Sequence, residues 1–152
     1  MGAHQKAFYQ RFPPSEPCTC ETCRGFCARP GWWLVAEARA AIDAGLADRM
    51  MLELSQDRTS GVLSPAFQGN EGFYALAELA GNLCTFLAQD RCELFGSLYQ
   101  PLECRFCHHD RLGTGLGCHR EILRDWDSGK GRRLVRHWLA LRGLEPLPRL
   151  RV

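Results

Sequence analysis

The chain has 152 residues with a formal net charge of +2, 45% hydrophobic and 24% charged residues, the balance of an ordinary globular chain able to bury one core. No apolar run approaches the roughly 18 residues that span a bilayer, which excludes a transmembrane helix. The N-terminus MGAHQKAFYQRFPP has neither the apolar stretch nor the small-residue cleavage site of a secretory signal, so with reduced cysteines the cytoplasm is the expected compartment and no membrane partner is expected.

Residues 1–17, with Pro13, Pro14 and Pro17, read as an irregular N-terminal arm leading into a cysteine cluster. After the turn signal Pro30-Gly31, the alanine-rich stretch Trp33 to Ala44 predicts a helix closed by Gly45. Leu46, Met50, Met51 and Leu54 recur at helical intervals and predict a second short helix over 46–54. Residues 56–72, with Gly61, Pro65, Gly69 and Gly72, predict a loop in which Gly61-Val62-Leu63 can pair briefly as a strand. The stretch 73–81 is compatible with a helix bounded by glycines. Cys84 to Leu87 and Cys92 to Phe95 read as two strands around the four-residue turn 88–91, and Pro101 leads Cys104 into an ordered turn.

LGTGLG at 112–117 lacks the glycine spacing of a dinucleotide fingerprint and is expected to be a flexible connector. His119 to Trp126 and Arg132 to Leu141 predict two helices broken at Ser128-Gly129, with Leu134, Trp138 and Leu141 as a core-facing stripe. Gly143, Pro146 and Pro148 end the last helix. The resulting expectation is a mainly helical α+β fold with a short β-hairpin, a small metal-stapled single domain over 18–145, followed by a tail at 146–152. Charge is uneven along it: residues 130–152 hold seven basic side chains against Glu145 alone, and the first 129 residues carry about −4. A mildly basic terminal helix is usually a solvated face, so nucleic acid is disfavoured as a partner.

The nine cysteines carry most of the functional information. Cys18, Cys20, Cys23 and Cys27 form one group, and Cys84, Cys92, Cys104 and Cys107 a second about sixty residues later. Thiolates are soft anionic ligands, and Cys20-x-x-Cys23 and Cys104-x-x-Cys107 each let two sulfurs reach one ion from a single turn. These eight cysteines are the candidate metal ligands, for zinc or iron, a 4Fe-4S cluster included. A disulfide framework fits less well. The count is odd, and pairs two or three residues apart suit ligation better than bridging. His108 and His109, directly after Cys107, or His119 after Cys118, can replace a sulfur; Cys118 stands apart as a free thiol. No His-Glu-x-x-His helix and no His-x-Glu with Pro-Cys-x-x-Cys is present, so no catalytic residue is assigned. The order of gaps in Cys20, Cys23 and Cys27 is the reverse of the radical-type three-cysteine pattern.

Taken together, Cys20-Glu-Thr-Cys23-Arg-Gly-Phe-Cys27, Pro30-Gly31-Trp32 before a helix, Cys84-Thr-Phe-Leu, Cys92-Glu-Leu and Pro101-Leu-Glu-Cys104-Arg105-Phe106 resemble the CxxCxxCC (YkgJ-like) zinc- or iron-chelating family of bacterial domains over residues 18–107. The resemblance implies metal chelation and no particular reaction. The chain departs from it at Phe26-Cys27, where the family has adjacent cysteines; Cys18, Cys107 or a histidine is left to supply the missing ligand. The leading expectation is a metal-binding protein in which both groups converge on zinc or an iron-sulfur cluster. Two alternatives stand beside it: an iron-sulfur redox or modifying enzyme or subunit, and a zinc-stabilised interaction module that presents the basic C-terminal helix to a protein partner or nucleic acid.

Overall fold

The computed structural model describes residues 2–152. Its helices are α1 (Ala3–Arg11), α2 (Glu21–Phe26), α3 (Val35–Asp43), α4 (Leu102–Phe106), α5 (Leu112–Trp126) and α6 (Gly129–Arg142). Its strands are β1 (Met50–Leu54), β2 (Gly61–Pro65), β3 (Leu87–Ala88) and β4 (Arg91–Cys92). The architecture is the expected mainly helical α+β, with two separate antiparallel pairs, β1–β2 and β3–β4.

The core forms where α5 and α6 lay their apolar stripes over β2 and α3 packs against α6, with β1 paired alongside β2. Val35, Ala38, Ala41 and Ile42 of α3, Cys118, Ile122 and Trp126 of α5, and Leu134, Val135, Trp138 and Leu139 of α6 are all buried, the spacing of one helical face in each case. Indole N–H groups then fix the elements against one another. Trp33 donates to the Tyr99 carbonyl at 2.8 Å, Trp126 to the Trp33 carbonyl at 2.7 Å and Trp138 to the Ala47 carbonyl at 2.8 Å.

Glu37, in the first turn of α3, is the polar hub that orients α4. Its carboxylate accepts from the backbone N–H of Leu34 at 2.9 Å and of Leu102 at 3.1 Å, and from the Tyr9 hydroxyl at 2.7 Å. It also pairs with Arg105. Burial pushes the Glu37 carboxyl up, against the downward pull of those donors and of Arg105. One buried carboxylate thus joins α1, α3 and α4.

Several elements differ from expectation. Residues 3–11 of the supposed irregular arm are α1, and Phe8 enters the core. The helix expected over 46–54 is a 3-10 turn at Ala47–Arg49 followed by β1. Met50, Met51 and Leu52 are fully buried, and a strand covered on both faces has no alternation to distinguish it from a buried helix. Gly61-Val62-Leu63 does pair, within β2, with Leu52 opposite Leu63. Of the stretch 73–81 only Ala77–Leu79 is helical, as a 3-10 turn. The later hairpin is shorter than expected: Leu87 faces Cys92, and its turn is the pair Gln89-Asp90 at φ 52° and 63°. The expected connector 112–117 is the first part of α5. Its anchoring residues Cys118, Ile122 and Trp126 lie further along, and nothing near Gly113, Gly115 or Gly117 requires a glycine. Leu141, expected in the core stripe, is exposed.

Between α5 and α6, Ser128 accepts from the Gly131 N–H at 3.2 Å as an N-cap. Gly131 is obligatory, because a Cβ there would lie 2.1 Å from the Trp126 carbonyl oxygen. At the far end Gly143, at φ 68°, closes α6 in the left-handed conformation.

Candidate metal centre

The segment before the first cysteines is pinned to α4 and the turn after it. The Ser15 N–H donates to the Arg105 carbonyl at 2.8 Å, the Ser15 hydroxyl to the Cys107 carbonyl at 3.1 Å, and Arg111 to the Pro13 carbonyl at 2.6 Å. Residues 13–15 are therefore fixed beside the 3-10 turn His109–Arg111. Cys18 follows outside any helix or strand, Cys20 caps α2, and Cys23 lies one turn inside it. That course carries three sulfurs to one imidazole.

His109 Nδ1 lies 3.5 Å from Cys18 Sγ, 3.5 Å from Cys20 Sγ and 3.4 Å from Cys23 Sγ. The four donor atoms all lie within 4.8 Å of one another. Zinc–sulfur and zinc–nitrogen bonds of about 2.3 and 2.0 Å at tetrahedral angles put ligand atoms roughly 3.5 Å apart, so these separations are those of the edges of a coordination tetrahedron. The group is geometrically suited to hold a metal ion. A three-sulfur, one-imidazole set fills a tetrahedron and leaves no open position, the pattern of structural rather than catalytic zinc.

Electrostatics within the group are uneven. The Cys23 N–H donates to Cys20 Sγ at 3.4 Å, and that hydrogen bond, with others from neighbouring sulfurs, pulls the Cys20 thiol down to about 7. Desolvation and the adjacent Cys18 and Cys20 sulfurs push Cys23 up to about 11, although the His109 N–H donates to its sulfur at 3.2 Å. Thiolates crowded together without a cation resist ionisation, and a bound cation reverses that by ionising each ligand it holds.

The other five candidate ligands meet differently. Cys27 caps the C-terminus of α2, Cys92 is on β4, Cys104 is in α4 and Cys107 caps α4, while Cys84 bridges to Phe67 just before β3. An Arg24–Asp90 ion pair at 3.5 Å ties α2 to the turn of the β3–β4 hairpin. Gly31 lets α4 approach, since a Cβ at that position would lie 2.5 Å from Cys104 Sγ. Desolvation is the main cause of raised thiols here: Cys84 to about 11, with Cys92 and Cys27 adding, and Cys107 to about 12, with Glu103 and Cys27 adding. Cys104 is raised by burial and then by Cys84, Cys107 and Cys92. These thiols sense one another's charge. Among the described residues, however, the only group of three or more such donors within 4.8 Å is Cys18, Cys20, Cys23 and His109.

All nine cysteines are free thiols, with no disulfide among them. No family model, curated protein or solved structure matches the chain. The likeness to the CxxCxxCC family therefore rests on residue spacing alone.

The other two candidate histidines have acidic partners of their own. His108 Nδ1 lies 2.6 Å from Asp110 Oδ1. His119 Nδ1 lies 2.5 Å from Glu103 Oε2, and its ring stacks on Trp32 with centroids 3.8 Å apart. Cys118 is fully buried in the core, where desolvation pushes it up to about 12. His109 is the member of the group outside the all-cysteine ligand set. Its signal in the sequence is its place two residues after Cys107, the position that also made His108 a candidate.

Proposed function

We propose that this chain is a metal-binding protein in which Cys18, Cys20, Cys23 and His109 hold one zinc ion that fastens the N-terminal segment and α2 to the junction of α4 and α5. The observation that carries this reading is the equal 3.4–3.5 Å spacing of three sulfurs about one imidazole nitrogen. Zinc suits the donor set better than an iron-sulfur cluster at this position. A cluster spreads its cysteines over several irons, whereas donors this close converge on one ion.

The resemblance to the zinc- or iron-chelating CxxCxxCC family supports the same reading, and the departure at Phe26 finds a counterpart in His109, which supplies a fourth donor from another part of the chain. Cys27, Cys84, Cys92, Cys104 and Cys107 are the further ligands of this proposal. Their wider, all-sulfur arrangement favours a second reading for that half, an iron-sulfur cluster serving electron transfer.

Elemental analysis of freshly and anaerobically purified protein, with an absorption spectrum, tests both. Zinc bound at about one equivalent, cut at least about tenfold in affinity by His109→Ala or Cys23→Ser as expected for loss of a ligand, supports the first. Iron with absorption near 400 nm that persists in His109→Ala supports the second. Protein free of both metals would overturn the two together.

A further inference from the structure

The outer face of α6 is as cationic as its inner face is apolar. Leu134, Val135, Trp138 and Leu139 enter the core, and the helical period then turns Arg132, Arg133 and Arg136 together toward solvent. The C-terminal segment runs alongside that face. It is anchored by the buried Leu150 and by the Arg151 N–H, which donates to the Thr59 carbonyl at 2.9 Å. Between helix and segment lies a groove of about 550 Å³ lined by Arg132, Arg133, Arg136 and Arg151 with Leu150 and Val152. It is open to solvent rather than enclosed, which suits a charged ligand better than an apolar one.

Four guanidinium groups share this recess with little to neutralise them. Arg132 reaches Asp127 at 3.5 Å, while Arg133, Arg136 and Arg151 form no ion pair among the described residues; Arg151 reaches only the Thr59 hydroxyl at 3.4 Å. Gly129 leaves room for Arg133, because a Cβ at that position would lie 3.1 Å from Arg133 Nη1. Each guanidinium is a planar fork of donors matched to phosphate oxygens. A shallow, open site with one wall fixed by main-chain hydrogen bonds requires little reordering to bind.

We propose that this groove binds a compact, multiply charged phosphate anion such as a pyrophosphate group. The shape of the basic surface argues for a small ligand rather than a nucleic-acid strand. The arginines converge in one recess, Arg142 is turned aside toward the Gly72 carbonyl, and the first 129 residues carry net negative charge, which would repel a long polyanion lying across them. The groove shares no residue with the cysteine site, so its test is independent of the metal.

Isothermal titration of the full metal-loaded chain with inorganic pyrophosphate decides the question, with metal content measured before and after because pyrophosphate also chelates metals. Saturable one-to-one binding is expected, weakened at least about tenfold by Arg133→Ala/Arg136→Ala, the loss of at least one charge-assisted contact. It should be unchanged by Arg39→Ala, an exposed arginine on α3. Circular dichroism checks that the variants are folded, and Arg136→Gln alone replaces the double variant if that one is not. No saturable heat, equal affinity in the groove variants, or heat accompanied by metal loss would each overturn the proposal. So would affinity that rises with the length of a single-stranded oligonucleotide, the mark of an extended nucleic-acid surface.

Discussion

The two cysteine regions of this protein differ in how their ligands are prepared. Cys18, Cys20, Cys23 and His109 are exposed or half-buried and sit at tetrahedral spacing, held by short-range bonds from the Cys23 and His109 N–H groups. Cys84, Cys104 and Cys107 are half-buried, their thiols raised chiefly by desolvation, and they do not close to the same spacing. The contrast lies in convergence rather than burial: Cys23 and Cys84 are both pushed up to about 11 by desolvation although each accepts a backbone N–H, from His109 and Phe86, and only the first group gathers its sulfurs about one imidazole.

The two regions also depend on different parts of the fold, and the largest expected effect comes from separating them. Cys104 and Cys107 ride on α4, and α4 is held by the Arg105–Glu37 pair, in which the Glu37 side chain is only 1% exposed. Arg105→Met leaves that carboxylate without its cation and is expected to destabilise the protein by about 3 kcal/mol or more. Glu37→Leu/Arg105→Met removes the orphaned charge but is not expected to recover the loss, because the buried Leu34 and Leu102 N–H groups then lose their acceptor. The folded Glu37 carboxyl already titrates above its ordinary value of 4.5 through burial, and without Arg105 it titrates higher still. A group raised in this way favours the folded state at low pH and ceases to do so as pH rises through its folded value. The stability gap between wild type and Arg105→Met should therefore be smaller at pH 4 than at pH 7 in urea unfolding. A gap that does not change with pH would remove Glu37 from the explanation.

The sequence displayed the chemistry of the site more fully than its geometry. Spacing put Cys18, Cys20 and Cys23 in one group, because a short-range turn is encoded in a few consecutive residues, but it also included Cys27, which lies outside the cluster, and four cysteines from further along the chain. His109 was only one of several candidates, since its approach depends on Ser15 and Arg111 binding distant carbonyls, and no local pattern records that. The helices with one apolar face, α3 and α6, were legible for the same reason that they pack. β1 was not, because Met50, Met51 and Leu52 are buried on both faces and the period-two signal vanishes. The glycines of 112–117 concealed the start of α5, whose packing anchors all lie beyond them.

Metal removal separates the regions next. α2 has six residues and buries none of them, and a helix that short is unstable alone in water. If zinc holds it, a chelator should melt α2 while α3 and α6 remain folded. An ion present at ~100 times its dissociation constant contributes about 2.7 kcal/mol, so amide exchange over 20–27 should accelerate by roughly a hundredfold. Mass-resolved hydrogen exchange with and without chelator reads this directly. Equal protection of α2 in both conditions would show that the Cys20–Cys23 turn needs no metal.

The smallest effect tests the preparation of the sulfurs themselves. In metal-free protein Cys20 is exposed and its thiol lies near 7, whereas Cys84 and Cys107 are half-buried at about 11 and 12. At pH 7 a substantial fraction of Cys20 is thiolate and almost none of the other two. The lower basicity of Cys20 costs it some intrinsic nucleophilicity, but less than its thiolate fraction gains. Iodoacetamide should therefore alkylate Cys20 at least about tenfold faster than Cys84 or Cys107, and zinc added beforehand should suppress that reaction. Peptide mapping over time measures the order. Simultaneous labelling of all three would mean that both groups of thiols are equally open to solvent, and the contrast between an assembled exposed site and a desolvated inner one would fail with it.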